Sequence, residues 1–229
     1  AYGRATFTAR EIAPTRAQRD DLQRIYMRVV RKWQAEFRET LLPVYQRALS
    51  GMMADDTDDL VTVFGATEKQ IAALAASAGF SVSEFVDEME AWHRRNYAQV
   101  FTPAGVQIGT LLSRGDVRQT LQAVVAENVD LVRSLNDQMR TGVSGAVFRG
   151  LQNRTPAREV AREIQKLAGI GRRRAELIAA DQLAKLTSRL DEERQRQSGI
   201  SKFMWAHSGK TNFRPEHLAR DGKTYEWGK

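Results

Sequence analysis

No cysteine occurs among the 229 residues. That excludes a disulfide framework and any thiolate metal site, and it suits a reducing compartment. Histidine is scarce too, with three copies, and proline appears only five times. No run of about 18 apolar residues is present, so no segment reads as a membrane span, and none reads as a signal peptide. Phosphate-cradling GxxxxGK[ST], strand-borne GxGxxG and GxSxG are all missing. The usual sequence signatures of nucleotide binding and serine hydrolysis are therefore lacking. The chain starts at Ala1 without methionine and stops at Lys229, which raises the expectation that one or both ends are missing.

What is present is a charged, helix-forming chain. Hydrophobic residues make up 42% and charged residues 28%, enough for a core and for a solvated surface. The net charge of +7 is unevenly spread. Residues 1–50 hold ten basic and five acidic side chains, residues 51–148 seven and thirteen, and residues 149–229 eighteen and ten. Basic ends attract polyanions such as nucleic acid, and an acidic middle can dock basic protein surfaces. Ordinary solvated charge is the competing reading.

Apolar spacing predicts long helices. Leu22, Ile25, Tyr26, Val29, Val30, Trp33, Phe37, Leu41, Val44 and Tyr45 recur at steps of three and four, so residues 15–49 form an amphipathic helix. Thr15 is its expected cap, and Pro43 should bend or split it. Arg24, Arg28 and Arg31 line its other side as a solvated face. The aspartates Asp55, Asp56, Asp58 and Asp59 lack the ligand spacing of a calcium loop and read as a solvated loop. A short helix over 67–78 should stop at Gly79, and Ser81 with Glu84 should cap a helix running to about Val100. His93 reads as a surface residue or a satisfied one.

Asp116 is the expected cap of the next helix. There Val117, Leu121, Val124, Asn128, Leu131, Leu135 and Gln138 form a heptad-like seam, with Asn128 placed to fix register. Gly142, Gly145 and Gly150 suggest a hinge. Thr155-Pro156 is a strong helix start. The AGIG segment, residues 168–171, should break that helix before a last one over 172–197, with Leu177, Ile178, Leu183, Leu186 and Leu190 inside. Its rim of Arg172, Arg173, Arg174, Lys185 and Arg189 is the candidate nucleic-acid surface. Gly199 ends it, and short strands near 202–206 and 223–227 meet at an Asp221-Gly222 turn. The expected fold class is mainly α: a long-helix bundle with a small C-terminal α+β module. Residues 1–148 form a helical body, and residues 149–229 form the basic module, with helices over 155–198 and strands and loop over 201–229.

The stretch WAHSGKTNFRPEHLARDG, residues 205–222, raises a chemical question. His207, Asn212 and His217 resemble parts of a metal-dependent nuclease. Such a site needs converging carboxylates or imidazoles, and the only nearby acids are Glu216, Asp221 and Glu226. The expectation is no catalytic residue, no metal and no cofactor.

A family resemblance rests on the combination of TPAREVAREI (155–164), RRRAELIAADQ (172–182), Trp205, RPEH (214–217) and Asp221-Gly222. His217 stands twelve residues after Trp205. This order resembles the C-terminal region of the phage Mu protein F-like head morphogenesis family, the minor head proteins of tailed bacteriophages. The chain departs from that pattern at Ala180, Asp181 and Gln182, and again at Lys210 and Asn212. The resemblance implies a non-enzymatic minor capsid protein in the virion, inside the head near the portal, with the host cytoplasm as its site of assembly. It implies the portal protein, the inner surface of the major capsid protein and packaged double-stranded DNA as partners, with no membrane in the mature head. It implies a structural motif of Trp205, Arg214, Pro215, His217, Asp221 and Gly222, in which Trp205 packs the module and Arg214 and His217 brace it. A DNA-binding accessory protein is the first alternative, and a metal-dependent nuclease the second.

Overall fold

The computed structural model describes residues 9–51, 54–104, 117–205 and 215–227. Among the described residues the chain is mainly α-helical, with one small antiparallel sheet near its C-terminus. Helix α1, Arg16–Glu36, opens on Thr15. Thr15 Oγ1 accepts from the Gln18 backbone N–H at 3.2 Å, and Gln18 Oε1 accepts from the Thr15 N–H at 2.7 Å. Two of the helix's otherwise unsatisfied donors are thus covered reciprocally. The chain stays helical through Pro43, but the α-helical pattern is interrupted just before it. A π-helical turn, Phe37–Leu41, leads into α2, Leu42–Ser50, and Pro43 lies in the first turn of α2, where its missing N–H costs little.

Helix α3 spans Ala54–Ala76, so the aspartates expected in a loop lie in helix. All four fall within its first two turns. A single turn residue, Ser77, separates α3 from α4, Ala78–Phe101. Gly79 and Ser81 therefore sit inside α4 and neither stop nor cap a helix. Helix α4 ends at a 3-10 turn, Thr102–Ala104, which contains Pro103. The cap expected at Asp116 lies outside the described residues.

Helix α5, Arg118–Gln152, contains all three glycines of the expected hinge. At two of them the missing side chain serves packing. A Cβ on Gly142 would lie 3.0 Å from the Leu167 side chain, and one on Gly150 would lie 2.7 Å from Val160 Cγ2. Helix α6, Ala157–Gln197, runs unbroken through 168–171. Gly171 lets the helix approach Val30 and Met139, each of which a Cβ would meet at 3.1 Å. Burial at such a contact outweighs the loss of about 1 kcal/mol in helix propensity. The predicted inward face of α6 needs correction as well: Leu177 is exposed, while Ala175, Ala179, Leu183, Leu186 and Leu190 are buried. In α5, Met139 takes the buried position expected for Gln138. Gly199, at φ +74, follows the end of α6.

Strand β1, Lys202–Met204, pairs with β2, Thr224–Glu226, with Phe203 opposite Tyr225. A one-turn helix, α7, Pro215–Leu218, lies between them in sequence. The described residues group into two compact units. The larger comprises residues 13–51, 54–89 and 121–185, and the smaller residues 9–12, 90–104, 117–120, 186–205 and 215–227.

In the larger unit, α1 supplies Leu22, Tyr26, Val29, Val30 and Trp33 to the core. Polar groups enter that core in matched pairs. Tyr26 Oη donates to Asn128 Oδ1, and Asn128 Nδ2 donates to the Val124 carbonyl at 2.7 Å and to Gln182 Oε1 at 3.3 Å. Trp33 Nε1 donates to Asn136 Oδ1 at 2.9 Å. Burial, reinforced by Asp181, raises the Tyr26 phenol well above its ordinary value. These bonds fix how α1, α5 and α6 slide past one another, because any other register would strand buried donors.

Candidate functional site

The smaller unit contains a buried ionic cluster. Along α4, Glu90, His93, Tyr97 and Phe101 follow at three- and four-residue steps and so share one face. Asp191 and Arg194 of α6, with Ser198 just past its end, do the same. Arg194 Nη2 donates to Glu90 Oε1 at 2.6 Å, and both side chains are only 2% exposed. Arg194 Nη1 also donates to His93 Nδ1. An arginine can only donate, so His93 Nδ1 accepts and the imidazole proton is assigned to Nε2. That N–H donates to Asp191 Oδ1 at 2.9 Å.

Burial pushes the Arg194 guanidinium below its ordinary value, and the Glu90 carboxylate pulls it back up. Below the cluster Tyr97 stacks on Phe101 with ring centres 4.2 Å apart, and Tyr97 Oη donates to Ser198 Oγ at 3.2 Å. Ile12, Tyr97 and Phe101 form the local apolar core. These bonds join Arg194 and Asp191 to Glu90 and His93, so the cluster clamps the end of α6 to α4. The sequence offered one clue, a lone histidine, and the satisfied reading of His93 holds.

The clamp positions the C-terminal hairpin. Gln195, next to Arg194, accepts from Trp227 Nε1 at 3.1 Å. Trp227 stacks on Phe203 at 4.0 Å, and Phe203 lies 5.9 Å from Tyr225. Lys202 and Glu226 pair at 3.3 Å on adjacent strands. Trp205 is half-buried and lies under the Arg220 guanidinium, whose central carbon is 5.6 Å from the ring centre. Its N–H donates to the Lys223 carbonyl, and its own carbonyl accepts from Gly222 N–H, both at 2.9 Å. Gly222, at φ +72, makes the turn that allows this exchange. Asp221 and Pro215 are exposed. His217 lies in α7, while Arg214, His207, Lys210 and Asn212 lie outside the described residues. The stacked trio Phe203, Tyr225 and Trp227 was not anticipated, although alternation within FMW and TYEW carried a signal for it.

The candidate nucleic-acid residues of α6 point in several directions. In the larger unit Arg172 and Arg173 are exposed, Arg174 donates to Gln138 and to Ser134 of α5, and Lys185 pairs with Asp181 at 2.6 Å. Arg189 belongs to the smaller unit and is half-buried. Arg172 meets a different set of cations. It lines a groove with Asp20, Arg24, Arg31 and Gln34 of α1. Arg31 and Arg172 form no ion pair among the described residues. Neither three converging metal-ligating side chains nor a helix long and apolar enough to cross a membrane is found among the described residues.

Residues 141–228, from the last turns of α5 through the hairpin, match the family model described as Phage Mu protein F like protein. The resemblance carried by Trp205, RPEH and Asp221-Gly222 is supported over that stretch. The chain is also similar to an uncharacterised protein of Haemophilus influenzae, 30% identical over 138 residues. That match covers 58% of this chain and 31% of the relative, so the chain spans about a third of that protein's length. No solved structure matches.

Proposed function

We propose that this chain is a minor head protein of a tailed bacteriophage, acting in head morphogenesis without catalysing a reaction. The carrying observation is the family match over residues 141–228. The fold is compatible with such a role, because side-chain contacts brace the described part of the matched stretch. In this reading the protein sits inside the head near the portal. Residues 1–148 contact the portal or the inner face of the major capsid protein, and residues 149–229 form the head-morphogenesis module.

Packaged DNA is the proposed polyanionic partner, and the groove of Arg24, Arg31 and Arg172 is where its phosphates are best served. Two of these three cations have no acid partner among the described residues, and arginine forks fit phosphate oxygens. Quantitative mass spectrometry of purified particles tests the assignment. The expected result is a few copies per particle, retained after washing. Absence from particles, or an abundance equal to that of the major shell protein, overturns it.

A further inference from the structure

Helix α6 carries an apolar stripe that its own unit leaves uncovered. Ile170 is 44% exposed and Leu177 72%. They stand seven residues apart with Arg173 between them, so the three share one helix face. Lys166 lies one turn before Ile170 on the same face. Neither Lys166 nor Arg173 forms an ion pair among the described residues. A Cβ on Gly169 would meet nothing within 4 Å, so the backbone beside Ile170 is bare too. One exposed aliphatic residue needs no explanation. Two at heptad spacing, with unpaired cations beside them, form the pattern of a seam that accepts a second helix.

The complementary face lies on α3. Val61 is 53% exposed, with Asp58 three residues before it and Gly65 four residues after. Asp58 is exposed and forms no ion pair among the described residues. A Cβ on Gly65 would also meet nothing within 4 Å, leaving room there for a large side chain from a facing helix.

We propose that the Ile170–Arg173–Leu177 face of one copy docks on the Asp58–Val61–Gly65 face of a second copy. Both faces use steps of three and four over seven residues, about 10 Å of helix. The Asp58 carboxylate meets Arg173 and Lys166, and the apolar side chains meet Val61 and the space beside Gly65. The two faces differ, so the contact is head-to-tail and adds copies in series instead of closing a two-fold dimer. DNA phosphates would satisfy Arg173 and Lys166 but would leave Ile170 and Leu177 in water, which favours a protein occupant. The contact goes beyond the minor-head reading and stands or falls independently of it.

Sedimentation velocity of the full chain, nuclease-treated and followed over a concentration series, tests it. The expected result is association beyond the monomer at low salt that weakens at high salt. Leu177→Glu and Asp58→Lys each abolish it while circular dichroism and Tm stay at wild-type values, since both positions are exposed. An equimolar mixture of the two variants, each with one intact face, forms a dimer and nothing larger. A wild type that is monomeric throughout, or association unaffected by Leu177→Glu, overturns the proposal. Loss with Leu177→Glu but not with Asp58→Lys also overturns it, because the face then pairs with itself. Association that appears only on adding duplex DNA overturns it in favour of a DNA surface.

Discussion

Arg194 and Glu90 form a fully buried ion pair, 2.6 Å from Nη2 to Oε1, with His93 as the second acceptor of the same guanidinium. Removing one partner strands the other's charge away from water. Arg194→Met should therefore destabilise the protein by about 3–5 kcal/mol. Combining it with Glu90→Leu removes both charges and should recover much of that loss, since an apolar pair of similar volume avoids the desolvation cost. Chemical denaturation of both single variants and the double variant checks this. Strict additivity would mean that the two side chains do not act as a pair.

Two glycines in helices should respond in opposite directions. At Gly150 a Cβ would press on Val160 Cγ2 at 2.7 Å and on Tyr45 Oη at 2.8 Å, and Tyr45 is itself held by a 2.7 Å bond to the Thr155 carbonyl. Gly150→Ala should cost about 1–3 kcal/mol from overpacking. Gly169 faces open space in α6, so Gly169→Ala should gain about 0.5–1 kcal/mol. Thermal melts should show the first variant below wild type and the second above it.

Lys32 and Glu36 pair at 2.5 Å one turn apart on α1, and Thr40 Oγ1 donates to the other Glu36 oxygen at 2.9 Å. The hydrogen bond from Lys32 holds the Glu36 carboxyl below its ordinary range against the opposing effect of burial. A depressed folded-state pKa means that the stabilisation is fully present above the unfolded value, about 4.3. It is lost as pH falls through the lower folded value. Stability against pH should thus be flatter below pH 5 in Glu36→Gln than in wild type. Identical acid limbs in the two proteins would rule out this contribution.

Trp227 links the hairpin to α6 through its ring nitrogen and its stacking on Phe203. Trp227→Ala should release amide protection across Lys202–Met204 and Thr224–Glu226 while the amides around Leu135 stay protected, because those belong to the larger unit. Trp227→Phe keeps the stack and loses only the Gln195 bond, so its effect should be intermediate. Hydrogen exchange read by mass spectrometry separates the two outcomes.

If packaged DNA lies along the α1–α6 groove, Arg31→Gln and Arg172→Gln should each weaken duplex binding without regard to sequence. Each should reduce the slope of log affinity against log salt by about 0.9. An unchanged slope in both variants would place any DNA contact elsewhere on the protein.

The sequence by itself determined the helical character, the Thr15 cap, the interruption of the α-helix near Pro43, a helix start close to Pro156 and the two closing strands. Each follows from local rules acting over a few residues: apolar spacing, side-chain capping, fixed proline geometry and alternation. It also carried the resemblance to the Phage Mu protein F like family through Trp205 and its neighbours. Tertiary structure decided what the glycines do. Gly142, Gly150 and Gly171 look like breaks when propensity alone is weighed, yet each stays helical because another helix packs where its side chain would be. Tertiary structure also decided which face of α6 is inside, leaving Leu177 in solvent and burying Ala175 and Ala179. The pairing of Arg194 with Glu90 and His93, about a hundred residues distant along the chain, has no local signal at all. A charge looks solvated in sequence, and only the packing of α4 against the end of α6 takes it out of water.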